Sequence, residues 1–286
     1  MALYKREMKS YFTGMIASVF SSVLLLVVGI FTTVNNLLGT YPNFEYSLSS
    51  VLIVYLLIVP LLSMRSISEE LHTHTDQLLY SLPMKLSSVV MAKYMSLISI
   101  LAINCAIISL YPLILSFYGS VNFAAAYGAI LAFFLLGCAL LAIGMFISSL
   151  TESQVIAAVL SIGATLILYM MSGIASLIPT TTVASLIGCY AIALCAALIL
   201  YSMTKSAVTS LSVAVIIVFL TTCAYMIRSA LFEGLIQRIL TAAALFDRFT
   251  LFVNGVFDVS ALIYYISVAC LFVFFTMQSM EKKRRA

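Results

Sequence analysis

Apolar and basic positions separate from the first residues onward. Leu3, Tyr4, Met8, Tyr11, Phe12 and Met15 fall on one helical face and Lys5, Arg6 and Lys9 on another, which predicts an interfacial amphipathic helix over residues 1–15 that runs into a membrane span. An apolar run from Ile16 to Leu38 follows. It exceeds the roughly 7 to 15 apolar residues of a signal peptide and lacks a clear small-residue cleavage site, which argues against a cleaved leader. A polar segment, Asn35 to Tyr46 with Gly39 and Pro42, separates this run from a second, Ser47 to Met64, with Pro60 near its end.

The longest polar stretch comes next, Arg65 to Lys85, and contains Arg65, Glu69, Glu70, His72, His74, Asp76 and Lys85. Ile67, Leu71, Leu78 and Leu82 recur within it at helical spacing, so a short amphipathic helix outside the bilayer is expected, ended by Pro83. Further spans are expected over Leu86 to Phe117, Phe123 to Ser148, Ser153 to Ile178, Ser185 to Met203, Ala207 to Ile227 and Val259 to Met277. Between the last two, Arg228 to Asp258 mixes Glu233, Gln237, Arg238, Asp247, Arg248 and Asp258 with Leu, Ile and Phe, which suggests one or two short amphipathic helices at the opposite, extracytoplasmic interface. The expected fold is all-α: one polytopic transmembrane bundle, residues 1–286, of about eight spans, or six spans with 185–227 re-entrant.

Charge orients this bundle. With an even number of spans, Lys5, Arg6, Lys9, Arg65, Lys85, Lys93, Lys205, Lys282, Lys283, Arg284 and Arg285 lie at one side and only Arg228, Arg238 and Arg248 at the other. By the positive-inside rule both termini are cytoplasmic, with residues 280–286 a basic tail. Composition agrees: 64% of the 286 residues are hydrophobic, 8% are charged and mean hydropathy is +1.18, against about 25% charged residues in soluble domains. The net charge of +4 is not gathered on one aromatic-interleaved surface, which excludes nucleic acid as a partner.

Most site chemistry is missing. None of the ten acidic residues falls within an expected mid-span, so ion coupling through side chains is not expected, although backbone carbonyls of broken helices could serve a secondary transporter. No GxxxxGK[ST] loop is present to cradle a phosphate, so any ATP must be hydrolysed on another chain. His72 and His74, the only histidines, point about 200° apart on a helix and make no metal pair. The cysteines Cys105, Cys138, Cys189, Cys195, Cys223 and Cys270 lie in apolar runs without metal-ligand spacing and read as small fillers. No nucleophile and base stand out, so an enzyme is not expected.

The stretch Pro60-Leu61-Leu62-Ser63-Met64-Arg65-Ser66-Ile67-Ser68-Glu69-Glu70, followed by Thr73, Thr75, Leu78, Leu79, Ser81, Pro83 and Lys93, resembles the first cytoplasmic loop of ABC-2 permeases, with His74 and Gln77 where that family commonly has Gly and Glu. The end of the chain resembles the gliding-motility-associated (GldF-like) branch: Phe249, Phe252, Gly255, Asp258 and Tyr264 precede a last span and a tail with Gln278, Ser279 and Glu281 to Arg285. The amphipathic start resembles the family's elbow helix.

The resemblance implies a permease subunit of an ABC transporter, an exporter working by alternating access, with ATP and magnesium on a separate ATPase and no cofactor on this chain. It implies a coupling helix within 65–85, with Arg65, Glu69, Glu70, Gln77 and Pro83 carrying the ATPase contact. Lys5, Arg6 and Lys9 would anchor the elbow to anionic lipid, and Phe249, Phe252, Gly255 and Asp258 would shape an outer gate. Implied partners are a soluble ABC ATPase, a second permease and an extracytoplasmic GldG-like accessory protein, in a bacterial plasma membrane. An ion-coupled secondary transporter and a non-transporting membrane scaffold are the alternatives.

Overall fold

The computed structural model describes residues 2–39, 41–73, 86–182, 185–190, 215, 221–222, 225 and 232–285. Among these the regular structure is helical. The chain begins with α1 (Ala2–Thr13) and α2 (Ile16–Thr32), whose last turns widen into a π-helix (Thr33–Leu38). Then come α3 (Phe44–Ser63), α4 (Arg65–His72), α5 (Leu86–Ile108), α6 (Leu110–Leu115), α7 (Phe123–Leu150) and α8 (Gln154–Leu177). Towards the end lie α9 (Leu235–Ala243), α10 (Asp247–Val253) and α11 (Val259–Arg285).

Six helices among the described residues are long and apolar enough to cross a membrane: Ile16–Leu38, Phe44–His72, Leu86–Leu115, Phe123–Leu150, Gln154–Leu177 and Val259–Arg284. They coincide with six of the eight expected spans. The other two, Ser185 to Met203 and Ala207 to Ile227, fall mainly outside the described residues, of which 185–190 are helical. The chain divides into two compact units, residues 1–167 with 245–286, and residues 168–244.

Local chemistry explains most boundaries. Gly14 and Met15 break the chain between α1 and α2, with Met15 held in the left-handed region at φ 59°, an uncommon choice for a long side chain. Asn122 caps α7 by accepting from the Ala125 N–H at 3.3 Å. The second span starts earlier than expected, at Phe44 rather than Ser47, which draws Glu45 into its first turn, where it is buried. The third span divides at Ser109 into α5 and α6. Residues 281–285 continue α11 rather than leaving it as a loose tail, since Glu, Lys and Arg sustain a helix.

Pro60 sits inside α3 and cannot donate to the carbonyl of Leu56. The Thr165 hydroxyl of α8, which lies 3.0 Å from the Ser161 and Ile162 carbonyls of its own helix, shares its proton with that carbonyl at 3.3 Å, one of the ways an apolar bundle satisfies backbone freed by proline.

In the larger unit α7 is central, with 72% of its most apolar window buried against 17–61% in the other spans. Glycines let α3 come close to it. A Cβ on Gly137 would lie 1.8 Å from Tyr55 Oη, and one on Gly144 would lie 1.9 Å from Ser63 Oγ, so both positions exclude a side chain. Tyr55 and Tyr94 donate to the α7 carbonyls of Phe133 and Cys138 at 3.2 and 3.0 Å. Asn104 of α5 donates to Ser21 of α2 at 2.9 Å, a polar bridge between two spans.

Candidate functional site

Only Met64 separates α4 from the span before it. Helical spacing gives α4 three faces with different neighbours. Ile67 and Leu71 are buried. Arg65 and Glu69, one turn apart, form a partly exposed ion pair. Glu70 turns the other way and meets Lys93 of α5, with Oε1 2.7 Å from Nζ.

Lys93 is the centre of this arrangement. Its side chain is only 2% exposed, and its ammonium also lies 3.3 Å from Glu7 Oε2 on α1. A buried ammonium is tolerable when it is paired and hydrogen-bonded, and here two carboxylates from two different helices supply the pairing. The result is a three-helix junction in which α5 holds α1 on one side and α4 on the other. A second tie runs along the same flank, where Tyr4 Oη and Ser99 Oγ are 2.8 Å apart.

A charged cleft of about 210 Å³ opens at the junction, lined by Arg6, Tyr11, Arg65, Ser66, Glu69 and Thr73 among others. Tyr11 is buried, and burial with the nearby carboxylates of Glu7 and Glu70 raises its phenol well above the usual range, so it stays neutral. The exit of α1 passes close by: a Cβ on Gly14 would lie 3.2 Å from Arg65 Nη1. Charges of both signs therefore meet where the first amphipathic helix, the short helix after the second span and the start of the third span converge.

Of the residues expected to carry function, Arg65, Glu69 and Glu70 meet at this junction, while Gln77 and Pro83 lie outside the described residues. Lys5, Arg6 and Lys9 are exposed on α1, and Arg6 also lines the cleft. The expected apolar face of α1 is divided: Tyr11 is buried, whereas Phe12 and Met15 are 50% and 72% exposed. His72 is exposed, and His74 lies outside the described residues.

The segment before the last span does structural work. Phe249 and Phe252 are buried, Phe249 edge-on to Phe133 at 6.3 Å and Phe252 edge-on to Phe257 at 5.7 Å. Gly255 turns the chain at φ 76°. Asp258 caps α11, its Oδ1 accepting from Ser260 Oγ at 2.6 Å and Ser260 N–H at 2.8 Å. These bonds, the side-chain one foremost, hold its carboxyl below the usual range.

The sequence pattern assigns no site role to Glu7, Tyr11 and Lys93, although Tyr11 falls on the apolar face of the first helix and Lys93 in the stretch that resembles the permease loop. A signal existed for two of them: Lys93 is an isolated charge inside an apolar run, and Glu7 is the only acidic residue before Glu45.

Fold and junction together define a polytopic α-helical membrane protein with a polar helical platform at one end of its bundle. A family model described as ABC-2 family transporter protein matches residues 8–185, more than half of the chain, and the chain belongs to that family. It is accordingly a permease component of an ABC transporter, a class whose membrane part is non-catalytic and works with an ABC ATPase subunit. No curated protein and no solved structure matches the chain.

Proposed function

We propose that this chain is an exporter permease of the GldF-like branch, in which α1 is the elbow helix and α4 the coupling helix that a separate ATPase moves. ATP and magnesium are bound by that ATPase. Two permease halves, either two copies of this chain or this chain with a related one, alternate access across a bacterial plasma membrane. Both termini face the cytoplasm, and a GldG-like protein is the accessory partner outside. Gln77 and Pro83 belong to the same coupling loop, Lys5, Arg6 and Lys9 face anionic lipid headgroups, and the Phe249 to Asp258 segment shapes the outer end of the path.

One observation carries this reading: α4 is tied through Lys93 to both the elbow and the third span, while its Arg65 and Glu69 remain partly exposed. A displacement of α4 thus has two helices to pull on. The test uses Glu69→Arg, because an exposed ion pair is worth about 0–1 kcal/mol and its loss hardly disturbs folding. The expected result is a stable chain that no longer retains its ATPase on purification and no longer stimulates it. Transport that survives without ATP and collapses with an ion gradient would overturn the proposal in favour of a secondary transporter.

A further inference from the structure

The first turn of α4 finds its hydrogen-bond partner on another span. Helices begin with N–H groups that lack an intrahelical acceptor, and Met64, which precedes α4, supplies no side-chain cap. Ser148 of α7 does so instead, from a fully buried position. Its Oγ accepts from the N–H of Ser68 at 2.9 Å and of Ile67 at 3.2 Å, and donates to the Met64 carbonyl at 2.8 Å. One hydroxyl thereby uses its single donor and both lone pairs. The Met64 carbonyl also accepts from the Ser68 hydroxyl, so Ser148 closes a bonded corner where α3 passes into α4.

The surroundings give this bridge a direction. Tyr55 faces Gly137 and Ser63 faces Gly144, so α3 and α7 run side by side in the same sense, and Ser148 continues that register onto α4. On α7, Phe146 lies 5.8 Å from both Phe272 and Phe275 of α11. A path of packed groups therefore leads from α4 through Ser148 into the central span and on to the last one.

We propose that Ser148 is a positioning residue that makes α4 and the C-terminal end of α7 one moving body, so that a displacement of α4 travels along α7 instead of being lost as bending at Met64. This rests on α4 being the helix that the ATPase moves.

The test compares wild type, Ser148→Ala and Ser148→Thr, as full chains in lipid nanodiscs, by hydrogen exchange. Ser148→Ala leaves the Ile67 N–H without an acceptor and the Ser68 N–H with only the Met64 carbonyl one turn back, so the peptide covering Ile67 and Ser68 should exchange about tenfold faster, while α2 and the middle of α11 keep their rates. Ser148→Thr, which retains the hydroxyl, should stay protected. Unchanged exchange over α4 in Ser148→Ala, or an equal rise in every span, overturns the proposal.

A second measurement adds ATP and vanadate to the complex with the co-purified ATPase. Wild type should then change exchange at both α4 and the end of α7, and Ser148→Ala at α4 alone. An equal α7 response in both sinks the joint and leaves the permease reading standing. If ATP changes nothing in wild type, the permease reading fails, and the first measurement still judges whether the joint exists.

Discussion

Replacing Lys93 by Met tests the three-helix junction directly. The substitution keeps length and apolar bulk but removes the ammonium that lies 2.7 Å from Glu70 and 3.3 Å from Glu7. Two carboxylates, 16% and 12% exposed, then lose the ammonium they share, while Arg6 still acts on Glu70 across the cleft. Removing one partner of a buried ion pair costs about 3–5 kcal/mol, against about 0–1 kcal/mol at a surface. The residual exposure of both glutamates places this case near the low end of the buried range, about 3 kcal/mol.

The assay is unfolding of the chain in detergent micelles, followed by the loss of helical signal with denaturant. Because the cost arises from two carboxylates that have lost their shared ammonium, Glu70→Gln introduced into Lys93→Met should recover part of the loss, a coupling that a double-mutant cycle isolates. A Lys93→Met chain within about 0.5 kcal/mol of wild type, the range of an ordinary surface substitution, would refute the reasoning. So would a double variant less stable than the sum of the two single ones.

Three further outcomes are expected. Gly137→Ala should lose about 1–3 kcal/mol by overpacking, since the added methyl would lie 1.8 Å from Tyr55 Oη, whereas Gly163→Ala, with nothing within 4 Å among the described residues, should be neutral or gain up to about 1 kcal/mol in the same unfolding assay. Thr165→Val should cost at most about 1 kcal/mol by removing the donor shared between the Leu56 carbonyl and those of Ser161 and Ile162, and less in a Pro60→Ala background, where the helix regains its own N–H at that point. Asp258→Ala should speed exchange at the Ser260 amide at neutral pH. Because the folded carboxyl titrates below its ordinary value, the cap is present above the unfolded pKa and is lost as pH falls through the folded one. Wild type and variant should therefore still differ at about pH 4, the ordinary Asp value, and converge only below it.

Six spans and the first amphipathic helix were legible along the chain because both depend on local pattern: a run of some 20 apolar residues, or a polar and an apolar face repeating every 3.6 residues. α4 was legible for the same reason, its Ile67 and Leu71 spaced one turn apart and both buried. The junction around it was only half legible. Arg65 and Glu69 could be read as a turn-spaced pair, but Glu7 and Lys93 are 86 residues apart in sequence, and nothing local pairs them.

What the sequence by itself determined is therefore a membrane-embedded helical protein with a polar platform beside its second span. Which side chains meet on that platform was decided by tertiary packing. The physical reason lies in the solvent: lipid is as apolar as leucine, so a span that is apolar all round carries no hydrophobic face to fix its rotation. The rotations of α5 and α7 are set instead by close approach at Gly137 and Gly144 and by a few buried polar groups, Lys93, Asn104 and Ser148. Lys93 and Ser148 among them also fix where α4 lies.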